Sequence, residues 1–222
     1  MRPRSFPASL VYVVVGLFWG VLAGVPWWVG AWIVVAAIVG GFVPGAANQV
    51  TLARAYLAAP ALLYSLRSDF GLLAVCVALA GLTDMVDGTI ARRFATPSQL
   101  GGGLDPVVDG LFMGALVIGL SVGGTIPWWL ALVVIARYLL PALVGGALMA
   151  SGRKPELRHT LTGQVSTTLI LVLIGGVSLL RGLHQDSRGL LLGAEVVLPI
   201  ATVATYVHLF VATFRGRKSG AE

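Results

Sequence analysis

Eight apolar runs account for most of this chain. They cover residues 9–24, 27–44, 48–66, 70–91, 103–123, 127–150, 161–181 and 189–213, with Gly, Pro, Ser or charged clusters between them. A helix that crosses a bilayer needs about 20 mostly apolar residues to span about 30 Å of hydrocarbon. Runs of this length, without the alternation of a barrel strand, are helix signals. Composition agrees: of 222 residues 57% are apolar and 11% charged, and mean hydropathy is +0.91. So few polar side chains cannot clothe a water-soluble domain. Disorder is excluded by the same hydrophobicity, and a collagen-like repeat by Gly and Pro that follow no period. The expected fold is therefore all-α and polytopic, with about eight spans. It comprises an N-terminal hydrophobic hairpin over 1–45, a six-helix membrane domain over 46–214 and a basic tail over 215–222. The first two runs, split at Gly24–Val25–Pro26, are short; a helical hairpin is the preferred reading and interfacial segments the alternative. Arg2 and Arg4 before an apolar stretch also resemble a signal peptide, but no small-residue cleavage site precedes Pro26 and more spans follow.

The net charge of +6 would suggest nucleic acid on a soluble protein. Here the basic residues sit mainly between runs, so orientation and anionic lipid head groups are the better reading, with no nucleic-acid partner. With the N-terminus inside and all eight runs crossing, the inside segments hold Arg2, Arg4, Arg92, Arg93, Arg153, Lys154, Arg158, Arg215, Arg217 and Lys218. The outside loops hold only Arg67, Arg181 and Arg188. That bias supports this topology, with both termini cytoplasmic, and the plasma membrane is the expected location. The single Cys76 excludes an intrachain disulfide and a Cys-rich metal site.

The acids are distributed differently. Of nine, four fall in one short window: Asp84, Asp87, Asp105 and Asp109. A charge at membrane depth costs about 2.5–3.5 kcal/mol even on the gentler insertion scales, and four like charges also repel. Something positive must offset them. Asp84 and Asp87 are i,i+3 and share a face at the inner end of one helix; Asp105 and Asp109 are i,i+4 at the inner start of the next. The short link RRFATPSQLGG is expected to bring the two pairs together at the cytoplasmic surface. Ligands that are all oxygen and all anionic suit Mg²⁺ or Mn²⁺. Four carboxylates suit two such ions, which lie about 3.5–4 Å apart in the clamps that act on phosphoryl groups. The intervening residues fit a nucleotide. Gly88 has no side chain to hold it off, Ala91 keeps the same face open, Arg92 is a fork donor for phosphate, and Ser98 offers a hydroxyl.

The pattern Asp84-x2-Asp87-Gly88-x2-Ala91-Arg92-x8-Gly101-x3-Asp105-x3-Asp109 matches the signature of the CDP-alcohol phosphotransferase family at every fixed position and spacing. The chain resembles that family, closest to its phosphatidylglycerophosphate synthase and cardiolipin synthase branch, over its six later spans; the first two look like an addition. The resemblance implies an enzyme of phospholipid biosynthesis. It would transfer a phosphatidyl group from CDP-diacylglycerol to an alcohol and release CMP, commonly as a homodimer. Asp84, Asp87, Asp105 and Asp109 would bind two Mg²⁺ or Mn²⁺ ions, with Asp109 also the catalytic base. Gly88, Ala91 and Arg92 would contact the cytidine diphosphate, as would Asn48 and Thr51 in NQVTLAR. Glycerol 3-phosphate or phosphatidylglycerol is the favoured acceptor, and an inositol phosphate the next choice.

Weaker signals surround this motif. Arg54 and Arg137 lie inside apolar runs, where an Arg contacts an anion of lipid or acceptor, or else snorkels or pairs with a carboxylate. An Arg recurs in a span resembling IPWWLALVVIARYLL in the favoured branch, which raises the case for Arg137. Arg153, Lys154 and Arg158 serve as orientation signals or capture an anionic acceptor. Two positions depart from that branch: Gln164 stands where it has Lys, and Gly110 where it often has Lys. Trp27, Trp28, Trp32, Trp128 and Trp129 near run ends read as an interfacial belt. The scattered His159, His184 and His208 lack the paired spacing of a metal site, and Glu195 has no assigned role. Two rival functions fit less well. A Mg²⁺-dependent membrane prenyltransferase needs Asp-rich motifs on two distant helices, and residues 110–222 hold only Asp186. A cation transporter needs acids near mid-membrane and internal repeats.

Overall fold

Each apolar run folds into one helix. The computed structural model describes residues 6–94, 99–150 and 161–216, with side chains throughout except at 46–47, 84, 87–94, 99–103, 142, 144–150, 161–164 and 208–216. The helices are α1 (Phe6–Leu22), α2 (Trp27–Gly41), α3 (Ala46–Leu66), α4 (Phe70–Phe94), α5 (Gln99–Val122), α6 (Trp128–Ala150), α7 (Leu161–Gly182) and α8 (Arg188–Gly216). No strand occurs among the described residues. Breaks fall where backbone chemistry forces them. Gly24 takes φ +58 before Pro26, which opens α2 with the fixed φ that suits a helix start. Gly45, at φ +103, turns the chain into α3. One boundary differs from expectation. The link between the two acid-bearing helices is mostly helical, because α4 continues to Phe94 and α5 begins at Gln99. A helix satisfies its own backbone hydrogen bonds, so it need not stop where the apolar run stops.

Packing closes six helices into a ring in the order α3, α4, α7, α8, α6, α5 and back to α3. The α1–α2 hairpin lies against α3 from outside. Among the described residues, α4 and α5 do not pack along each other; α3 stands against both. The ring's interior is apolar, with Leu73 and Val77 of α4, Phe112 and Leu116 of α5, Ile174 of α7 and Leu198 of α8 buried. A second cluster, including Val29, Ile33, Leu52, Tyr56 and Leu63, fills the space between the hairpin and α3. Apolar side chains such as Leu72, Val75 and Leu79 on α4 or Ile200 and Val203 on α8 face outward. Such a surface suits lipid.

Small residues let the backbones approach. A Cβ at Gly119 of α5 would come 2.5 Å from the Cβ of Ser65, and one at Gly123 would come 2.8 Å from the Ser65 carbonyl oxygen. This Gly-x3-Gly pair is the close-contact device of membrane helix pairs. On α7, a Cβ at Gly175 would strike Val77 and one at Gly182 would meet the Phe70 carbonyl, so α7 runs antiparallel to α4.

Among the described residues, three segments are long and apolar enough to cross a membrane: Leu104–Val122, Val165–Gly182 and Arg188–Val207. Phe6–Leu22, Trp27–Gly41, Phe70–Thr83 and Trp128–Pro141 are shorter apolar helices. The run over α3 does not join them, because Asn48, Gln49 and Arg54 dilute it. Helix α3 touches α1, α2, α4 and α5, and such enclosure relieves it of the need to be lipid-compatible.

Candidate active site

The site begins on α3. Thr51 and Arg54 are i,i+3 and therefore share a face, and both are buried. Asp105 and Asp109 are i,i+4 on the facing side of α5. The Thr51 hydroxyl donates to Asp105 Oδ1 at 2.9 Å. One turn further along both helices, the Arg54 guanidinium pairs with Asp109. The two contacts advance together, so α3 and α5 run parallel, and the Gly119 and Gly123 contacts with Ser65 continue the same register. A lone charge in an apolar bundle is expensive; pairing it with good hydrogen-bond geometry offsets the desolvation. Of the ways open to an Arg inside an apolar run, Arg54 pairs with a carboxylate.

A small cavity of ≈ 30 Å³ opens beside this ion pair, lined by Arg54, Ala80, Asp109, Phe112, Met113, Thr167 and Leu171. It connects α3, α4, α5 and α7. Ala80 is informative because Leu73, Val77 and Ala80 form the buried stripe of α4. Continuing that stripe by helical spacing of four and three reaches positions 84 and 87. Positions 84 and 87 therefore follow Ala80, which lines the cavity next to Asp109, by about one and two turns along α4.

Arg137 of α6 is buried, and its Nε donates to Ser166 Oγ of α7 at 3.3 Å, beside the cavity-lining Thr167. Its guanidinium lies 5.9 Å from the ring centre of Tyr138. Tyr138 in turn explains Gly110: a Cβ there would stand 3.1 Å from the Tyr138 Cβ, so the larger residue common in the related branch has no room without a shift. Asn48 sits at the start of α3, where its amide donates to the Pro44 carbonyl at 2.6 Å. The side chains of Asp84, Asp87, Ala91 and Arg92, the surroundings of Gly88, and the residues Ser98, Arg153, Lys154 and Arg158 lie outside the described residues. Asp105 and Asp109 are joined by no third acid, His or Cys among the described residues.

Two contributors carry little signal in the sequence. Gln49 is buried and its amide donates to the carbonyls of Gly40 and Val43, at 2.9 and 2.8 Å. An amide inside an otherwise apolar run is the available clue. Trp32, placed in the interfacial belt by its position near a run end, instead donates its indole N–H to the Ala55 carbonyl at 2.7 Å. Trp27 and Trp128 do face outward, as a belt requires.

A family model described as CDP-alcohol phosphatidyltransferase matches residues 45–214. The chain belongs to the CDP-alcohol phosphatidyltransferase family. The match covers the whole helical ring and excludes α1 and α2. Among relatives of this family member, the protein named "Probable cardiolipin synthase (CMP-forming)" of Drosophila melanogaster is 32% identical over 157 residues, 67% of this chain and 47% of that protein. The "Probable phosphatidylglycerophosphate synthase" of Mycobacterium tuberculosis is 30% identical over 131 residues, 59% of this chain and 61% of its own length. A "Cardiolipin synthase (CMP-forming)" of Streptomyces coelicolor is 38% identical over 79 residues, 36% of this chain and 37% of its own. The chain thus spans between about a third and three-fifths of the length of these relatives. No solved structure matches it.

Proposed function

We propose that this protein transfers the phosphatidyl group of CDP-diacylglycerol to an alcohol and releases CMP, with glycerol 3-phosphate or phosphatidylglycerol as the acceptor. The observation that carries the reading is the pairing of Asp105 with Thr51 and of Asp109 with Arg54, the second pair lining a cavity that Ala80 of α4 also lines. The names of the relatives support the two acceptors.

In this reading Asp109 takes the proton of the acceptor hydroxyl. A carboxylate is a weak base unless held within hydrogen-bond reach, and its pairing with buried Arg54 supplies that fixed position. The alcohol oxygen forms a bond to the phosphatidyl phosphorus as the bond from that phosphorus to the bridging oxygen breaks. CMP departs with the bridging oxygen. Thr51 orients the Asp105 carboxylate by donating to one of its oxygens. The donor set fits Mg²⁺ or Mn²⁺, because it is made of oxygens and offers no thiol or imidazole among the described residues. Asp84, Asp87, Asp105 and Asp109 would hold two such ions, which when bound would neutralise the diphosphate and stabilise the leaving group. Gly88, Ala91 and Arg92 would meet the cytidine diphosphate. Arg137, with Arg153, Lys154 and Arg158, would draw in the acceptor's own phosphate. The basic bias of the expected inside segments supports a site at the cytoplasmic face, and the reading takes the membrane to be the plasma membrane. There lipid tails stay in the bilayer while the nucleotide stays wet.

The test is to give purified protein labelled CDP-diacylglycerol and Mg²⁺ with a panel of alcohols. Release of CMP together with a phosphatidyl lipid, from glycerol 3-phosphate or phosphatidylglycerol, is the expected result. No CMP with any alcohol would refute the reading.

A further inference from the structure

The α1–α2 hairpin lies outside the matched family region, yet its polar contacts are not scattered. They converge on one stretch of α3. Trp32 Nε1 donates to the Ala55 carbonyl at 2.7 Å, and the Tyr12 hydroxyl donates to the Gln49 carbonyl at 3.2 Å. The Gln49 amide donates back to the carbonyls of Gly40, in the last turn of α2, and of Val43, two residues past its end. That end has carbonyls its own helix cannot satisfy, so one side chain of α3 caps the hairpin. Tyr12 also stacks on Tyr56, with ring centres 4.5 Å apart. Three of these hydrogen bonds would be lost to two small changes. The Nε1–H of Trp32 has no replacement in Phe, and Met has the length of Gln49 without its donors.

The same stretch of α3 makes the contacts to the acids. Gln49, Leu52, Ala55 and Tyr56 face the hairpin, while Thr51 and Arg54, between them in sequence, engage Asp105 and Asp109 on the other side. Helix α3 is therefore clamped at that level between the hairpin and α5. We infer that the hairpin is part of the catalytic apparatus: through Gln49 and Trp32 it sets the rotation and height of α3, and so the position of Thr51 and Arg54 against the acid pair. Gln49 and Trp32 are positioning residues, since neither touches the acids. The inference rests on the metal-binding part of the proposed function and not on the acceptor or the donor lipid.

The experiment titrates the purified full-length protein with Mn²⁺ alone and reads affinity by loss of the free-ion EPR signal, with thermal unfolding followed in parallel. The variants are Gln49→Met, Trp32→Phe and, as a control at the far end of the bundle, Ser187→Ala, which removes one hydrogen-bond partner of Arg181 and leaves Thr125 in place. Groups that orient metal-binding carboxylates typically change affinity by about 10- to 100-fold when lost, so Gln49→Met should weaken Mn²⁺ binding by about 10-fold. Trp32→Phe, which loses one neutral hydrogen bond, should weaken it by about three-fold, and Ser187→Ala should leave it unchanged. If Gln49→Met does not purify in folded form, Trp32→Phe decides. Folded variants with wild-type Mn²⁺ affinity would overturn the inference, as would an equal loss in Ser187→Ala. Wild-type protein that holds Mn²⁺ but transfers no lipid would remove the proposed reaction and leave this inference standing. Wild-type protein that holds no Mn²⁺ would remove both.

Discussion

The contact between α3 and α5 is built in two unlike ways along one parallel pair. At one end, polar groups meet: Thr51 with Asp105 and Arg54 with Asp109. At the other, backbones meet: Gly119 and Gly123 admit Ser65 so closely that no Cβ would fit. The polar end gathers charge that a membrane disfavours, and it opens onto a cavity. The glycine end is dense and turns Ser65 inward, its hydroxyl donating to the Ala61 carbonyl of its own helix at 2.6 Å. Close packing at one end holds the two helices together, and polar pairing at the other orients the acids. Stability and chemistry are thus assigned to different turns of the same two helices.

This division can be broken from either side. The largest effect is expected from Asp109→Asn, which keeps an acceptor for Arg54 and removes the base. Turnover per folded molecule should fall by about 10²- to 10⁴-fold, read by CMP release, and a parallel melting curve should show lower stability because the buried Arg54 loses its counter-charge. Next comes Gly119→Ala. It adds one methyl where backbone and Ser65 leave no space, so stability should drop by about 1–3 kcal/mol, measured by unfolding in detergent. Per folded molecule its Mn²⁺ affinity should stay close to wild type. An equal loss of both would show that the two ends are not separable. Thr51→Val keeps shape but removes the hydroxyl from Asp105, and should weaken Mn²⁺ binding by about 10-fold. The smallest effect belongs to Tyr206→Phe, whose hydroxyl donates to the Ala136 carbonyl across the α6–α8 contact. A cost of about 0.5–1.5 kcal/mol in stability, with no change in metal affinity, would sharpen the contrast between structural and site hydrogen bonds.

Much of this architecture is legible in the amino-acid sequence. The number, order and approximate limits of the helices follow from eight apolar runs, since a membrane helix must be continuous and apolar to satisfy its backbone. Glycines and prolines mark their ends. The aspartate motif points to the family because residue type and spacing are both fixed. Neighbour relations are not legible. The chain order suggests that α4 and α5 stand side by side, whereas α3 lies against both. Spans in a bilayer all look alike from outside, and which faces meet is decided by close-packing partners such as Gly119 with Ser65 or Gly175 with Val77. The partner of Arg54 is open for the same reason: a buried Arg needs an anion, but sequence does not say which one. Gln49 is inconspicuous because a single amide scarcely disturbs the apolarity of its run, although its two hydrogen bonds tie α2 to α3.

The claim on which the rest depends is that the acids of α4 and those of α5 serve one site. EPR of the Mn²⁺-loaded protein tests it most directly. Two ions held about 3.5–4 Å apart should give the spectrum of an exchange-coupled pair, and Asp84→Ala on α4 or Asp105→Ala on α5 should each abolish that coupling. A spectrum of isolated Mn²⁺ ions in the wild-type protein, or a coupled pair that survives Asp84→Ala, would contradict it.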